Sequence, residues 1–161
     1  MLVAMILVPT VRLATPADAR AIAELSREAI EHGLGWTWTR DRVLKSIHDR
    51  STNVAVADEQ GRVLGFGIMK YGDEKAHLSL LGVEAIHRKR GIGSLLLAWL
   101  EECAVVAGND RIGLEARRDN ESALAFYAQL GYRPVGSVAG YYHGLMDAVR
   151  LEKKLGTDPA P

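Results

Sequence analysis

The segment Arg88-Lys89-Arg90-Gly91-Ile92-Gly93-Ser94 combines positive charge with glycines and leads directly into a long apolar run. Such a turn can bind an anion, because the first backbone N–H groups of a helix are unpaired and the helix dipole adds partial positive charge there. The glycines allow a ligand to come close to the backbone, and the cationic side chains supply donors for phosphate oxygens. These residues therefore predict a binding site for a pyrophosphate.

Two common nucleotide-binding motifs do not fit this segment. A P-loop needs G-K-[ST], whereas Gly93 is followed by Ser94 and Leu95, and the dinucleotide fingerprint needs a third glycine where Leu96 stands. Taken alone, the segment is also compatible with a structural turn that carries a solvated basic cluster. The ligand therefore has to be inferred from residues elsewhere in the chain.

A second group of chemically useful side chains follows in the segment 114–127. Glu115 is a candidate general base, acting directly or through a water molecule. Asn120 and Tyr127 are seven residues apart, which is about two helical turns, so they share one helix face. A hydroxyl there could protonate a leaving group, although a purely packing role for Tyr127 is the alternative.

Hydrophobic periodicity predicts the elements that position these residues. The predicted strands are 11–14, 54–57, 63–71, 77–83, 112–116, 132–138 and 145–153. The predicted helices begin at Thr15-Pro16, near Asp41, at Ile92 and at Asp119 or Asn120. The third helix is expected to face the core with Ile92, Leu95, Leu96, Trp99, Cys103 and Val106. This order predicts a single mixed α/β (α+β) domain.

Composition narrows the function classes. The chain has 161 residues and a formal net charge of zero, which argues against nucleic acid or an anionic membrane surface as the partner. The single cysteine, Cys103, is expected to be an inert core thiol in a cytoplasmic protein. Residues 1–10 are apolar but too few to span a bilayer, and they lack the features of a signal peptide. Residues 156–161 are expected to form a frayed end.

The histidines show no pattern typical of a metal site. His32, His48, His77 and His87 have no metal-ligand spacing with cysteines or carboxylates, so no metal is expected. His143 lies beside Tyr141 and Tyr142 and is an alternative base, although an exposed loop histidine is the simpler interpretation.

Two motifs, at the correct spacing and in the correct order, resemble the GCN5-related N-acetyltransferase (GNAT) superfamily. Its cofactor motif [R/Q]-x-x-G-x-[G/A] is matched by Arg88, Gly91 and Gly93. The family's later strand and helix are matched by Leu114 to Asn120, Ala123, Tyr127 and Leu130-Gly131-Tyr132. The order of elements also agrees over residues 11–155, which are expected to form the N-acetyltransferase domain. Residues 1–10 and 156–161 would then be terminal extensions.

The resemblance implies a mixed, mostly antiparallel central sheet, flanked by about four helices and splayed between the fourth and fifth strands. It implies acetyl-CoA as co-substrate, no metal, a primary amine as acceptor, Glu115 as general base and Tyr127 as general acid. Gly82 is expected to mark a bulge or a close backbone approach. The implied cofactor-binding residues are Leu81, Gly82, Val83, Arg88, Lys89, Arg90, Gly91, Ile92, Gly93, Ser94, Asn120, Ala123 and Tyr127.

The acceptor is the least constrained part of this interpretation. The pattern looks like that of the ribosomal-protein N-terminal alanine acetyltransferases, so a protein N-terminal amine is the expected acceptor. Residues 137–140, however, lack the arginine usual in that group, and Ala85 replaces the usual proline after the fourth strand. A small-molecule amine acetyltransferase and a non-catalytic acyl-CoA-binding module are the alternatives.

The acceptor site also has candidate residues. Trp36, Trp38, Tyr141 and Tyr142 could line it, with ordinary packing as the alternative for the two tryptophans. Homodimers are common in the family, so a homodimer is compatible with the resemblance.

Overall fold

Seven strands and four α-helices alternate in a computed structural model that describes residues 8–31, 36–142, 144 and 146–156. The strands are β1 (Thr10–Leu13), β2 (Thr52–Glu59), β3 (Arg62–Tyr71), β4 (Lys75–Val83), β5 (Arg111–Arg117), β6 (Arg133–Tyr142) and β7 (Met146–Lys154). The helices are α1 (Ala19–Ala29), α2 (Arg40–His48), α3 (Ile92–Val106) and α4 (Glu121–Gln129). The predicted extensions lie largely outside these residues, as does His143.

The strands form one sheet in the order β1-β2-β3-β4-β5-β7-β6. Every neighbouring pair is antiparallel except β4 and β5, which are parallel. These two strands pair only over Lys75–Leu78 and Arg111–Leu114. Beyond Leu78 and Leu114 they no longer pair, so the sheet opens there. The mixed sheet and the predicted splay between the fourth and fifth strands are confirmed.

The sheet separates two apolar layers. On one face, α1 and α2 pack on β2 and β3, around the fully buried Ile22, Val43 and Phe66. On the other face, α3 and α4 pack on β3, β4 and β5, around Leu96 and Leu100. The side chains of β5 alternate between the two layers, because successive residues of a strand point to opposite faces.

A β-bulge interrupts β4 at Ser79. Ile68 pairs with Leu80 and Met69 with Leu78, which leaves Ser79 as the extra residue. The alternation changes there, since Leu78 belongs to the α3–α4 layer and Leu80 to the α1–α2 layer. The bulge therefore lies at Ser79, and a close approach is the alternative that remains for Gly82.

The predicted core face of α3 is partly wrong. The helix buries Ile92, Leu96, Leu97, Leu100 and Ala104. By contrast, Leu95 and Val106 are exposed, Trp99 packs at the edge of the core, and Cys103 is only half-buried. The reason is that α3 is apolar on nearly every side, so its periodicity does not identify the packed face. The packed face is selected by β3, because Leu96 and Leu100 occupy the space that side chains at Gly65 and Gly67 would fill.

The end of the chain differs from the prediction at one strand. β6 continues to Tyr142, four residues beyond the predicted end at 138, with an irregular register between Val138 and Tyr142. This extension carries Tyr141 and Tyr142 toward β5. In the described part of the chain, no helix is long and apolar enough to cross a membrane.

Candidate active site

A cleft of about 890 Å³ occupies the opening between β4 and β5. Its walls come from both strands, the turn before α3, the start of α4, the segment between α1 and α2, and the end of β6. It therefore reaches both faces of the sheet.

The glycine-rich turn has the geometry predicted for an anion site. Gly91 has φ +79°, a left-handed conformation that favours glycine, and α3 begins directly after it without a side-chain cap. The first helical N–H bonded to the turn is that of Leu95, which donates to the Gly91 carbonyl. The N–H groups of Ile92, Gly93 and Ser94 belong to the unpaired first turn and lie at the cleft wall.

Gly93 serves a different purpose from Gly91. A Cβ on Gly93 would lie 3.2 Å from the ring of Phe126 on α4. A side chain there would force the Phe126 ring to shift within the contact between α3 and α4. Gly93 thus keeps α4 close to the turn, and α4 carries Asn120 and Tyr127.

The cationic side chains of the turn are not equivalent. Arg88 and Lys89 line the cleft, and the Arg88 Nε donates to the Val83 carbonyl at 3.3 Å. The Arg90 guanidinium instead pairs with Glu59 at 2.8 Å and contacts His87, and it does not line the cleft. The predicted contribution of the Arg90 side chain to ligand binding is therefore not supported by its position.

Glu115 lies at the cleft in contact with a histidine. The His77 Nε2 is 2.6 Å from Oε2 of Glu115, and the ring N–H donates to the carboxylate. Both residues point to the face covered by α1 and α2, since their neighbours Leu78 and Leu114 point to the other layer. This hydrogen bond lowers the pKa of Glu115 against the opposing effect of burial, and the charges of His77 and Arg150 act in the same direction. Glu115 is therefore ionised at neutral pH.

Three further side chains contact Glu115, two at its carboxylate and one at its main-chain carbonyl. The Arg150 Nε on β7 lies 3.6 Å from Oε1 of Glu115. The Tyr141 hydroxyl is 3.5 Å from Oε2, and the Tyr142 hydroxyl donates to the Glu115 carbonyl at 3.2 Å. The two tyrosine rings pack edge to face with centroids 4.9 Å apart. The extended β6 thus brings both predicted tyrosines to the cleft.

Tyr127 reaches the cleft from the opposite layer. Its ring is buried on α4 and packs edge-on against Phe126 and Tyr132. Among the described residues, none forms a hydrogen bond with the Tyr127 hydroxyl. Burial, with a smaller effect from Tyr142, raises the pKa of Tyr127, so this hydroxyl keeps its proton at neutral pH. It is a proton donor without a partner at the cleft.

Asn120 and Ala123 form the first turn of α4 at the cleft wall. The Asn120 side chain caps the helix by accepting from the Ala123 N–H at 3.0 Å. Of the two residues predicted to cap α4, Asn120 is therefore the cap, and Asp119 forms an ion pair with Arg117 instead. The cap uses the carboxamide oxygen, so the amide NH₂ is the part of Asn120 that could meet a ligand.

The second half of β4 forms a long wall of the cleft. Leu81, Gly82 and Val83 line it, and β3 is the strand paired with this half of β4. Backbone groups that point toward β5 are therefore left for a ligand. A Cβ on Gly82 would lie 2.9 Å from the Phe66 ring, so glycine is needed here for the close approach of β3.

The two predicted tryptophans separate in the structure. Trp38 lines the cleft, whereas Trp36 donates to the Ala23 carbonyl at 3.2 Å and packs against Arg27. Trp36 therefore has the packing role that was its alternative. The buried Glu31 accepts hydrogen bonds from the backbone N–H and hydroxyl of Thr37 and from the backbone N–H of Trp38. These bonds hold Thr37 and Trp38 at the cleft.

His77, Arg42 and Arg150 are among the residues at or near the cleft that the sequence-based prediction of the site did not include. His77 was considered only as a metal ligand, and Arg42 and Arg150 were not considered at all. A signal existed for His77, because it and Glu115 are polar positions on the buried faces of two adjacent strands. No local signal marks the two arginines, which are brought together by the fold. In the described ranges, no group of three potential metal ligands was found.

Comparisons with known proteins agree with this geometry. Residues 19–132 match the model of the "Acetyltransferase (GNAT) family", a stretch that includes the glycine-rich turn, Glu115 and Tyr127. The chain is 31% identical over 157 residues to the protein named N-alpha-acetyltransferase RimI from Mycobacterium tuberculosis, covering 94% of this chain and 95% of that protein.

Other similar proteins differ in length or share only the fold. Mycothiol acetyltransferase of Clavibacter sepedonicus is 33% identical over 93 residues, which are 58% of this chain but 31% of that longer protein. The chain thus aligns with about a third of that relative. The structure of yncA, a putative acetyltransferase from Salmonella typhimurium solved with acetyl-CoA, superposes with a TM-score of 0.78 at 22% identity. That alignment covers 95% of this chain and 97% of the other.

Proposed function

Because the chain belongs to the acetyltransferase (GNAT) family, we propose that it transfers an acetyl group from acetyl-CoA to a primary amine. One observation carries this proposal. The opening between β4 and β5 joins an anion-binding turn, a protonated Tyr127 hydroxyl and an ionised Glu115 in a single cleft. A protein that only bound acyl-CoA would have no chemical need for the last two groups.

We propose that the α3–α4 side of the cleft holds the co-substrate, which supplies the acetyl group as a thioester. The N–H groups of Ile92–Ser94, with Arg88 and Lys89, would bind the pyrophosphate. The open half of β4 at Leu81–Val83 and the amide of Asn120 would bind the pantetheine arm and polarise the acetyl carbonyl. All of these groups line the cleft.

On the other side, Glu115, oriented by its hydrogen bond with His77, would remove a proton from the amine. An α-amino group has a pKa of about 7.7–8.0, so its deprotonation costs only ~1 kcal/mol at pH 7. Glu115 is a weak base, because its pKa is lowered. Its ionised carboxylate would attract the ammonium ion and pass the proton on, directly or through a water molecule.

Tyr127 would complete the reaction as general acid. The amine nitrogen forms a bond to the acetyl carbon, and the carbon–sulfur bond breaks. The departing thiolate then takes the proton of the Tyr127 hydroxyl, which has no competing partner among the described residues. The ammonium ion loses one proton through Glu115 before the attack, and the nitrogen loses a second proton when the amide forms. One of these protons passes to solvent and the other restores the Tyr127 hydroxyl, so the net products are the acetylated amine, the free CoA thiol and one proton.

The proposal is tested by measuring the release of the free CoA thiol from acetyl-CoA with a panel of amines. The panel contains peptides that begin with alanine, free amino acids, lysine-containing peptides blocked at the N-terminus, polyamines and aminoglycosides. Thiol release with one of these classes, and the acetylated product seen by mass spectrometry, is the expected result. Binding of acetyl-CoA without thiol release from any amine would favour the acyl-CoA-binding module.

The acceptor that we propose is a protein N-terminal amine. Its support is the 31% identity with N-alpha-acetyltransferase RimI over nearly the whole chain. A small-molecule amine is the second candidate, favoured by the alignment with mycothiol acetyltransferase. Acetylation of small amines with no acetylation of any N-terminal peptide would decide for the second candidate.

Two proposals concern the extent of the domain and its location in the cell. We propose residues 11–155 as the catalytic domain, with residues 1–10 and 156–161 as extensions. The lone half-buried Cys103 fits a reducing compartment, so the cytoplasm is the proposed location.

Gly91→Val is expected to weaken acetyl-CoA binding by at least about tenfold. A β-branched residue is strained at φ +79°, at a cost of roughly 1–2 kcal/mol or more, and the turn would shift to relieve this strain. Calorimetric titration with acetyl-CoA measures the change in Kd.

Gly108→Val is the matched control. Gly108 follows the other end of α3, has φ +86° and, like Gly91, has no atom within 4 Å of an added Cβ. Both variants should lose similar thermal stability, and the Gly108 variant should keep its affinity for acetyl-CoA. Equal losses of affinity would show that the turn has no special role in binding.

A further inference from the structure

Arg42 presents an unneutralised charge at the proposed acceptor side of the cleft. Its guanidinium lies 3.8 Å above the centroid of the Trp38 ring, and both residues line the cleft with Glu115. Among the described residues, no carboxylate forms an ion pair with Arg42. By contrast, Arg12 pairs with Asp18 and Asp58.

The stacking fixes the orientation of this charge. A guanidinium stacked on an indole loses its rotational freedom before any ligand binds, while its edge keeps the donor fork that matches a carboxylate. Trp38 is itself held by its backbone hydrogen bond to the buried Glu31. Arg42 is thus a restrained donor group at the cleft, stacked on Trp38, and no carboxylate within the described chain pairs with it.

The other charges of this region favour an anionic neighbour for the bound amine. Arg150 lies at the rim, 3.6 Å from Glu115, with half of its side chain exposed. Both carboxylates of the region are already engaged, Glu115 by His77 and Glu31 by the segment around Thr37. A positively charged amine that enters the cleft therefore meets the ionised Glu115 together with the positive charges of Arg42 and Arg150.

We propose that Arg42, supported by Arg150, selects acceptors that carry a carboxylate close to the reacting amine. This inference rests on the proposed acetyltransferase function and specifies its substrate class. The amine would lie at Glu115 and the carboxylate would pair with the Arg42 guanidinium. Polycationic amines would be disfavoured, because like charges across a binding site lower affinity.

The test compares three peptides that differ at their second residue, Ala-Glu, Ala-Gln and Ala-Lys at the N-terminus, with free glutamate and a polyamine. For the wild-type protein, we expect kcat/KM to be about twofold to fivefold higher for Ala-Glu than for Ala-Gln, the size typical of an exposed ion pair. Ala-Lys should be slower again. Free glutamate distinguishes a small amino acid from a peptide as the source of the carboxylate.

The variants Arg42→Glu and Arg42→Gln assign the preference to this residue. Arg42→Glu should reverse the order of the peptides, and Arg42→Gln should abolish the difference. Arg40→Glu is the matched control, because Arg40 lies on the same helix, pairs with Asp41 and does not line the cleft. It should leave the order unchanged.

The outcomes separate the two proposals. Equal rates for the three wild-type peptides, or a faster Ala-Lys peptide, would overturn the carboxylate preference while the acetyltransferase function stands. No thiol release from any amine would overturn the function and this inference with it. A wild-type preference that survives in both Arg42 variants would contradict the role of Arg42. The wild-type series alone can refute the inference, even if a variant fails to fold.

Discussion

Glu115→Gln is expected to lower kcat/KM for acetyl transfer by at least about 100-fold, the lower end of what a positioned base contributes. The substitution keeps the shape of the side chain and removes the charge that attracts the ammonium ion and the group that takes its proton. Acetyl-CoA binds on the other side of the sheet in our proposal, so its Kd should not change. Steady-state kinetics and calorimetric titration of the same preparation measure both quantities.

Two further variants show whether the loss is specific. Glu152→Gln breaks an ion pair of 2.8 Å with Lys75 outside the cleft, so it should cost little activity. His77→Leu removes the hydrogen bond that orients Glu115, so it should lower kcat by about tenfold or more and leave KM for the amine nearly unchanged. Full activity of Glu115→Gln would refute the assigned base.

The dependence on pH should also distinguish Glu115 from the amine. The hydrogen bond and charge of His77 lower the pKa of Glu115, so its carboxylate is already ionised throughout the assay range. The acid limb of kcat/KM against pH should therefore follow the ammonium group of the acceptor. Exchanging the acceptor for one of lower amine pKa should move this limb to lower pH by the same amount.

Tyr127→Phe should lower kcat by about 100-fold and leave the fold intact. The lost hydroxyl is the proposed acid for the leaving thiolate, and it has no partner among the described residues. Removing a buried hydroxyl without a partner costs little, so the free energy of unfolding should change by less than about 0.5 kcal/mol. Denaturant unfolding and steady-state kinetics measure the two effects.

Tyr132→Phe is the matched control, and the opposite result is expected. Tyr132 packs edge-on against Tyr127 with ring centroids 5.6 Å apart, but its hydroxyl donates to Glu101 at 2.8 Å and does not line the cleft. Its loss should destabilise the protein by about 1–2 kcal/mol, because a hydrogen bond to a charged group is removed. Activity should be retained. Loss of activity in both variants would point to packing around α4 and against an acid role for Tyr127.

Most of the fold could be predicted, because its elements carry local signals. The strands of the meander have turns with glycine and aspartate between them, and α4 has the cap residue Asn120. The core face of α3 could not be predicted, since apolar residues lie on nearly every side of the helix and the selecting features, Gly65 and Gly67, lie on β3. The bulge at Ser79 also has no local marker, because it arises from the pairing of β4 with β3.

A part of the candidate site could be predicted where all of its residues belong to one short segment of the chain. The glycine-rich turn is such a segment, and its left-handed Gly91 follows from the residue type. The charge of Arg90 was assigned to the same turn, but Glu59 lies more than thirty residues away in sequence and pairs with it. The contact of His77 with Glu115 depends on the parallel register of β4 and β5, which sequence does not specify.

The short pairing of β4 with β5 has a consequence for how such a protein can change. Because the opening reaches both faces of the sheet, the parts proposed to bind the two substrates belong to separate structural layers. Replacing Trp38, Arg42 or Tyr141 would alter the choice of amine without disturbing the turn at Gly91. New acceptor specificities could therefore evolve by surface substitution on one side, while the machinery for the activated acyl group is inherited unchanged on the other.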